Sequence, residues 1–425
     1  MAGDIKEGVV AAPPESEAAV DQEAIEQRSW LLRSGILQNE LLPILFSLAA
    51  VAVAFQLQSH FFLTSRNLEN LVVQITPLAL LALGEVMVLL IKEIDLSLGS
   101  IAGLAAAICA SLIMHHEYAW WTAILITLMA GAGMGAIQGL VVVVGRVPSF
   151  VVTLGGYLVW LGFMLQLLGP GGGITVVNPT IANITISKIA ITPAAIVVGA
   201  AIVLWLVARL RSWRSSHVKE RSIDGLAMII LQAVGMAIAL ILAIRVFNKA
   251  DGVPVCFVIT VGIIGAVAIA LKHLPSGRHL YAIGGNTEAA RRAGIKVKTI
   301  RWAAFVLAGV FAAAAGVLYL SLEQGAGTLT GGGTTLLEAV GAAVVGGVSL
   351  FGGRGTAWAA LFGALVLGGV DNGLDLTSHA ESTKYVVQGL VVIVAVLLDS
   401  AIRHYGQSGS LFRLPPFIRR VGSTE

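Results

Sequence analysis

Residues 276–301 read SGRHLYAIGGNTEAARRAGIKVKTIR, a polar and basic interruption between long apolar runs. Its centre carries the signals of a very short helix with both ends specified. Asn286 is a good N-cap residue, Glu288 suits the positive N-terminal end, Arg291 and Arg292 suit the C-terminal end, and Gly294 can take the left-handed stop. Helices shorter than ~12 residues are marginal alone in water, so full capping on so small an element points to a docking partner. Ala289, Ala290 and Ala293 add a small-residue patch that a partner can approach closely. A plain basic loop would carry the same charge, and the segment by itself leaves both readings open.

The runs on either side decide the fold class. Of 425 residues, 57% are hydrophobic and 12% charged, and the mean hydropathy is +0.88. Soluble domains carry ~25% charged residues, so half the usual surface charge is missing and the chain is an integral membrane protein. A hydrocarbon core needs ~20 apolar residues per helix, fewer for broken helices. Twelve segments qualify, near 41–57, 71–91, 98–114, 120–144, 149–168, 190–208, 224–247, 254–272, 302–322, 336–350, 357–370 and 385–402. The segments 336–350 and 357–370 are short and glycine-rich and read as half-helices as readily as crossings. The expectation is an all-α polytopic bundle of 10–12 spans occupying residues 41–405.

Basic residues orient it, because cytoplasmic loops carry the Lys and Arg excess. With the N-terminus inside, alternation places Arg209, Arg211, Arg214, Lys219 and Arg221 in the cytoplasm. Lys272, Arg278, Arg291, Arg292, Lys296, Lys298 and Arg301 follow, in a loop spanning 273–301, and then Arg403, Arg413, Arg419 and Arg420. Outside fall 169–189 with only Lys188, 323–335 with no basic residue, and 371–384 with Asp371, Asp375 and Glu381 against Lys384. Both termini are therefore expected inside. Residues 1–40 read as an acidic, disordered or loosely helical tail without the basic start of a signal peptide, and 406–425 as a basic tail.

Cys109 and Cys256 lack metal or redox spacing and read as small core residues. No HExxH pair is present, and His115-His116 beside Glu117 reads as an interfacial turn. Gly131, Gly135 and Gly139 form a small-residue ladder for close helix packing. There is no catalytic constellation, no GxxxxGK[ST] phosphate loop and no nucleic-acid signature, since the basic residues mark membrane sidedness. The glycine clusters 171–173 and 331–333 fall in outward loops.

Polar residues deep in apolar segments are the candidates for a translocation path. LLIKEIDLSLGS, residues 89–100, contains Lys92, Glu93, Asp95, Ser97 and Ser100. Asp95 or Ser97 is expected to cap a helix beginning near Leu98, and Gly99 to let the chain bend. A surface turn and a broken helix lining a polar passage both fit. GGVSLFGGRGTAWAALFGALVLGG, residues 346–369, contributes Ser349, Arg354 and Thr356 and is faintly similar to 96–113, as an internal repeat would be. Asp371, Asn372 and Gln388 supply groups that hydroxyl-rich solutes need, and surface capping explains Asp371 equally well.

With these residues in view, GRHLYAIGGNTEAARRAGIKV resembles the cytoplasmic coupling segment of permease subunits of bacterial ATP-binding-cassette sugar importers, in the ribose/xylose branch. Glu288, Ala289 and Gly294 occupy the positions of that family's coupling element, with Gly277, Arg278, Tyr281, Gly284, Gly285 and Asn286 leading in. IDLSLGS, residues 94–100, resembles its second hallmark, with Lys92-Glu93 where a pair of glycines is usual. The extra apolar segments around 224–272 and the ending VDNGLDL…KYVVQGLVVIVAVLLDS are similar to the xylose-type subgroup.

The resemblance implies a transport subunit of the inner membrane that is not itself an enzyme and binds no cofactor. A separate cytoplasmic ATPase subunit would use the ATP, an extracytoplasmic binding protein would deliver the sugar, and two permease copies in lipid would form the pathway. Xylose follows from subgroup likeness, with arabinose, galactose or a polyol open. The rival is an ion-coupled secondary sugar carrier, which would use Glu85, or more weakly Asp399, as coupling carboxylates.

Overall fold

The computed structural model describes residues 41–215 and 223–408. The acidic tail, Lys219, Arg221 and residues 409–425, including Arg413, Arg419 and Arg420, lie outside the described residues.

Lipid offers the backbone no hydrogen-bond partner, so the apolar runs close their bonds within helices. In chain order these are α1 (Leu41–Gln58), α2 (Ser65–Leu89), α3 (Leu98–Met114), α4 (Trp120–Gly145), α5 (Ser149–Leu168), α6 (Pro179–Ile186), α7 (Ile191–Ser215) and α8 (Ile223–Lys249). Then follow α9 (Val255–His273), α10 (Pro275–Gly285), α11 (Thr287–Arg292), α12 (Val297–Glu323), α13 (Thr335–Val345), α14 (Trp358–Leu376) and α15 (Glu381–Ser408). Each apolar segment read from the sequence coincides with a helix. Among the described residues, eight helices are long and apolar enough to cross a membrane, namely α2, α4, α5, α7, α8, α9, α12 and α14.

The two glycine-rich segments come out differently. α13 has 11 residues, about 16 Å at ~1.5 Å per residue, half of a ~30 Å hydrocarbon core. Residues 357–370, in contrast, belong to a continuous 19-residue helix that runs on through Asp371 and Asn372. Its glycines serve contact rather than breakage. A Cβ on Gly363 would lie 1.7 Å from Ala342 O, one on Gly368 2.4 Å from Ile75, and one on Gly373 2.3 Å from the Phe55 ring.

The core is built from α2, α3, α4 and α12. α2 buries the run from Ile75 to Leu89, and α12 buries Phe305, Ala308, Ala312 and Ala315 against it. The Gly131-Gly135-Gly139 ladder faces α12. A Cβ on Gly131 would lie 2.5 Å from Gly309 O, and one on Gly309 2.2 Å from Gly131 O. In lipid this approach of two backbones supplies the dispersion contact that water would otherwise drive. Cys109 and Cys256 are free and buried, and His115, His116 and Glu117 form an exposed turn.

Two small ladders tie loops together at one end. β1 (Gly173–Thr175) pairs with β4 (Gly325–Gly327), and β2 (Lys188–Ile189) with β3 (Val253–Pro254), both antiparallel. The loops 169–189 and 323–335, assigned to one side by charge, are thus in contact. α12, 27 residues long and so about 40 Å, separates β4 from the basic segment at its other end. α7 and α8 bury almost none of their apolar residues. With α9 they enclose an apolar cleft of about 610 Å³ lined by residues such as Val198, Leu240, Phe247 and Phe257, a surface with nothing to offer sugar hydroxyls.

Candidate functional site

The basic segment folds as a helix pair. α11 is the short helix read from the sequence, with both stops in place. The Asn286 side chain accepts the Ala289 N–H at 3.0 Å. At the other end Gly294, at φ +83°, donates to Arg291 O at 3.0 Å while Ile295 N–H reaches Ala290 O at 3.1 Å, the paired bonds of a left-handed helix stop. Glu288 bonds both Arg291 and Arg292, and the Arg291 guanidinium holds its carboxyl below the usual range. Asn286, Glu288, Ala289 and Gly294 are exposed; Ala290 is buried.

α10 adds a helix that the sequence reading does not single out, because residues 275–285 of the 273–301 loop are helical. Three glycines disguise it, and tertiary contact holds it. A Cβ on Gly277 would lie 2.3 Å from Leu271 O, and one on Gly284 1.9 Å from Leu90 O. Its inner face buries Leu280 and Ile283, Tyr281 donates its hydroxyl to Gly355 O at 2.8 Å, and Arg278 and Gly285 face outward. The loop also ends early: Lys298 and Arg301 lie on α12.

α10 rests on both interruptions that the sequence singled out. Residues 90–97 pass beneath it, and the 349–355 turn meets them where Gly353 N–H reaches Leu90 O at 3.0 Å. Within that turn Ser349 N–H donates to Arg354 O at 3.1 Å, and the Ser349 hydroxyl accepts Phe351 N–H at 3.2 Å. The expected caps at Leu98 are not made. Asp95 Oδ1 instead accepts Ser97 N–H at 2.9 Å and its hydroxyl at 2.6 Å, and Ser97 Oγ also lies 2.9 Å from Gln138 Oε1. Local two-residue closure competes with capping and wins here. Gly99 does not bend the chain; it lies within α3, where a Cβ would come within 2.5 Å of Gly331 O. The segment is stitched to α5 by Ile94 N–H to Ser149 Oγ at 3.3 Å and Leu96 N–H to Thr153 Oγ1 at 3.0 Å.

Asp95, Ser97 and Ser349 are all buried, in the two segments that meet below α10, whereas Gly99, also buried, packs against Gly331 of the 323–335 loop. Asp371, Asn372 and Gln388 do not join them. Asn372 accepts from Asn67 at 2.7 Å and donates to Gln74 at 3.2 Å, a neutral amide link to α2. Asp371 and Asp375 flank Lys384 at 3.9 and 2.5 Å, and Gln388 is buried on α15. Glu85 is buried beside Asp95; the side chain of Asp399 lies outside the described residues. Sequence reasoning missed Gln138, Ser149 and Thr153 as partners of 94–97, and no local signal marks them. It noted Glu93 and Arg301 without pairing them, and they form an ion pair.

A family model described as the permease component of a branched-chain amino acid transport system matches residues 67–396. The chain belongs to this permease family. It is 35% identical over 349 residues to the xylose transport system permease protein XylH of Escherichia coli K12, covering 80% of this chain and 86% of that one. The Haemophilus influenzae XylH is 30% identical, covering 84% and 95%. The ribose import permease RbsC of E. coli K12 is 30% identical, covering 88% and 95%. No solved structure matches the chain. As a permease with several apolar helices, it is a multi-pass membrane protein.

Proposed function

We propose that this chain is the membrane-spanning subunit of an ATP-binding-cassette importer that moves a monosaccharide across the bacterial inner membrane, with D-xylose the first candidate. The observation that carries the reading is the α10–α11 pair: a fully capped short helix, exposed at the end of the bundle and seated on both interrupted segments. The relatives' names, xylose and ribose permeases, support a pentose, and the greater identity to the xylose permease puts that sugar first.

On this reading a cytoplasmic ATPase subunit grips α11 and hydrolyses ATP, and an extracytoplasmic binding protein delivers the sugar at the end carrying β1 and β4. Two copies of the chain frame the path. Asp95, Ser97, Ser349, Asn372 and Gln388 are buried within one chain, so a pathway between copies, or opened by their movement, agrees with the packing. Membership of a permease family also disfavours the ion-coupled carrier that Glu85 would serve.

The test is reconstitution in liposomes with the cognate ATPase and binding protein. ATP-dependent uptake of labelled xylose, unchanged by proton and sodium ionophores, is the expected result. Uptake that needs no ATP and stops when the ion gradient is collapsed would overturn the reading, and a preference for ribose or arabinose would correct the substrate alone.

A further inference from the structure

Two consecutive residues in the α2–α3 interruption hold both flanks of α11. Lys92 Nζ reaches Gly285 O, the last residue of α10, at 3.3 Å. The next side chain, Glu93, forms an ion pair with Arg301 in the first turns of α12, with side chains only 13% and 29% exposed. Gly285 precedes α11 and Arg301 follows it, so Lys92 and Glu93 bracket the exposed helix from below.

The backbone is arranged for this. Lys92 takes a left-handed conformation at φ +65°, where a side chain costs ~1–2 kcal/mol and glycine would be at ease. Lys92 N–H to Leu89 O and Glu93 N–H to Val88 O, both 3.0 Å, close α2 in that conformation. The stop turns the two side chains to the coupling helices, and the ammonium meets the negative end of α10. From Glu93 the chain passes in two residues to Asp95 and Ser97, which are tied to Gln138 on α4.

We propose that Lys92 and Glu93 form a charged latch that passes displacement of α10–α11 to the interrupted α2–α3 segment. This rests on the importer reading. The latch residues are positioning residues, acting through α10 and α12. Polar ties suit the task because an ion pair at this depth can part and re-form, whereas the interlocked glycine contacts between α4 and α12 cannot slip without losing their packing.

The experiment uses the reconstituted transporter with Glu93→Arg, Arg301→Glu and the double exchange, measuring sugar uptake and ATP hydrolysis in the same vesicles. Each single reversal is expected to leave hydrolysis running and lower sugar moved per ATP by roughly tenfold, an ordinary coupling free energy; the double exchange regains most of it. Wild-type uptake per ATP in both single variants would overturn the latch. Absence of ATP-driven uptake in the unmodified complex would instead overturn the importer reading. Should the reversals fail to assemble, Glu93→Cys with Arg301→Cys decides: oxidation is expected to arrest uptake, with recovery on reduction, and undiminished uptake after cross-linking would overturn the latch.

Discussion

Gly284 and Gly285 are adjacent, chemically identical and on the same helix, and the structure assigns them opposite responses to one methyl group. A Cβ on Gly284 would lie 1.9 Å from Leu90 O, 2.4 Å from Gly353 N and 2.8 Å from Gly353 Cα, whereas one on Gly285 meets nothing within 4 Å. All three neighbours of Gly284 are backbone, so none can swing aside as a side chain would. Gly284→Ala must open the α10 contact by about 1 Å, an overpacking that costs ~1–3 kcal/mol, and it prises apart the Gly353–Leu90 bond, worth ~1 kcal/mol. Alanine's better helix propensity returns at most ~1 kcal/mol. The net loss is about 1–3 kcal/mol, carried by the seat of the coupling helices. At Gly285 only the propensity gain remains. Thermal unfolding of the purified permease in detergent is expected to fall by several degrees for Gly284→Ala and to stay level or rise for Gly285→Ala. Sugar uptake per ATP falls about tenfold for Gly284→Ala, since ~1.4 kcal/mol is a factor of ten. Equal unfolding temperatures for the two variants would refute the packing argument.

The remaining expectations address other contacts. Asn286→Ala removes the α11 cap and costs ~1 kcal/mol, read as faster hydrogen exchange of the Ala289 and Ala290 amides; unchanged exchange would count against the cap. Gly294→Val forces a β-branched residue to φ +83° in open space, so it is expected to loosen the α11 stop by ~1–3 kcal/mol and lower coupling, while Gly294→Asn retains most activity. Glu288 has its pKa lowered in the folded protein by Arg291; its contribution is present above the unfolded value near ~4.3 and is lost as pH falls through the lower folded value. A ¹³C titration of the Glu288 carboxyl checks this, and Arg291→Ala should move its midpoint upward. Gly135→Leu would drive a side chain to within 2.2 Å of Phe305 O and is expected to abolish a monodisperse permease on size-exclusion chromatography, whereas Gly133→Leu, with open space around it, is tolerated.

Legibility followed the range of the interactions. The apolar runs were readable because each helix satisfies its own backbone in lipid, so length and hydropathy are local facts. The stops of α11 were readable for the same reason: Asn286 and Gly294 act within four residues of themselves. α10 was hidden because Gly277, Gly284 and Gly285 argue for a loop, and its helix is held by Leu271 and Leu90 lying against Gly277 and Gly284. Residues 357–370 stay open between half-helix and crossing for a similar reason, since the close approach that Gly363 and Gly368 allow to Ala342 and Ile75 is not visible in the sequence. The Asp95–Ser97 closure was half visible; the residue types were right, but the choice between capping α3 and closing locally depended on Gln138, 41 residues on from Ser97. Glu93 and Arg301, 208 residues apart, left no sequence trace of their pairing.

On the importer reading, the division between glycine packing and charged contact lets one chain be both rigid and movable. Between α4 and α12, interlocked Gly131 and Gly309 bring two backbones together with no side chain to rearrange, and such a contact has a single arrangement. Around α10 and α11 the ties are of another kind: Lys92 to a carbonyl, Glu93 to Arg301, Tyr281 to Gly355 O. Each of these can part without creating a cavity, at a cost of ~1–3 kcal/mol, the higher end belonging to the charged and partly buried Glu93–Arg301 pair. A helix held in this way can shift as a body while the α2–α3–α4–α12 core keeps its shape. The 349–355 turn, which follows the short α13, lies against α10 through Gly353 and Gly355, so on the importer reading a break in the bundle sits where displacement of α10 would arrive. A fully spanning helix there would oppose the shift with its whole length of packing, whereas an interrupted one can yield at Leu90–Ser97 and at Ser349–Gly355, so the breaks and the handle belong to one device.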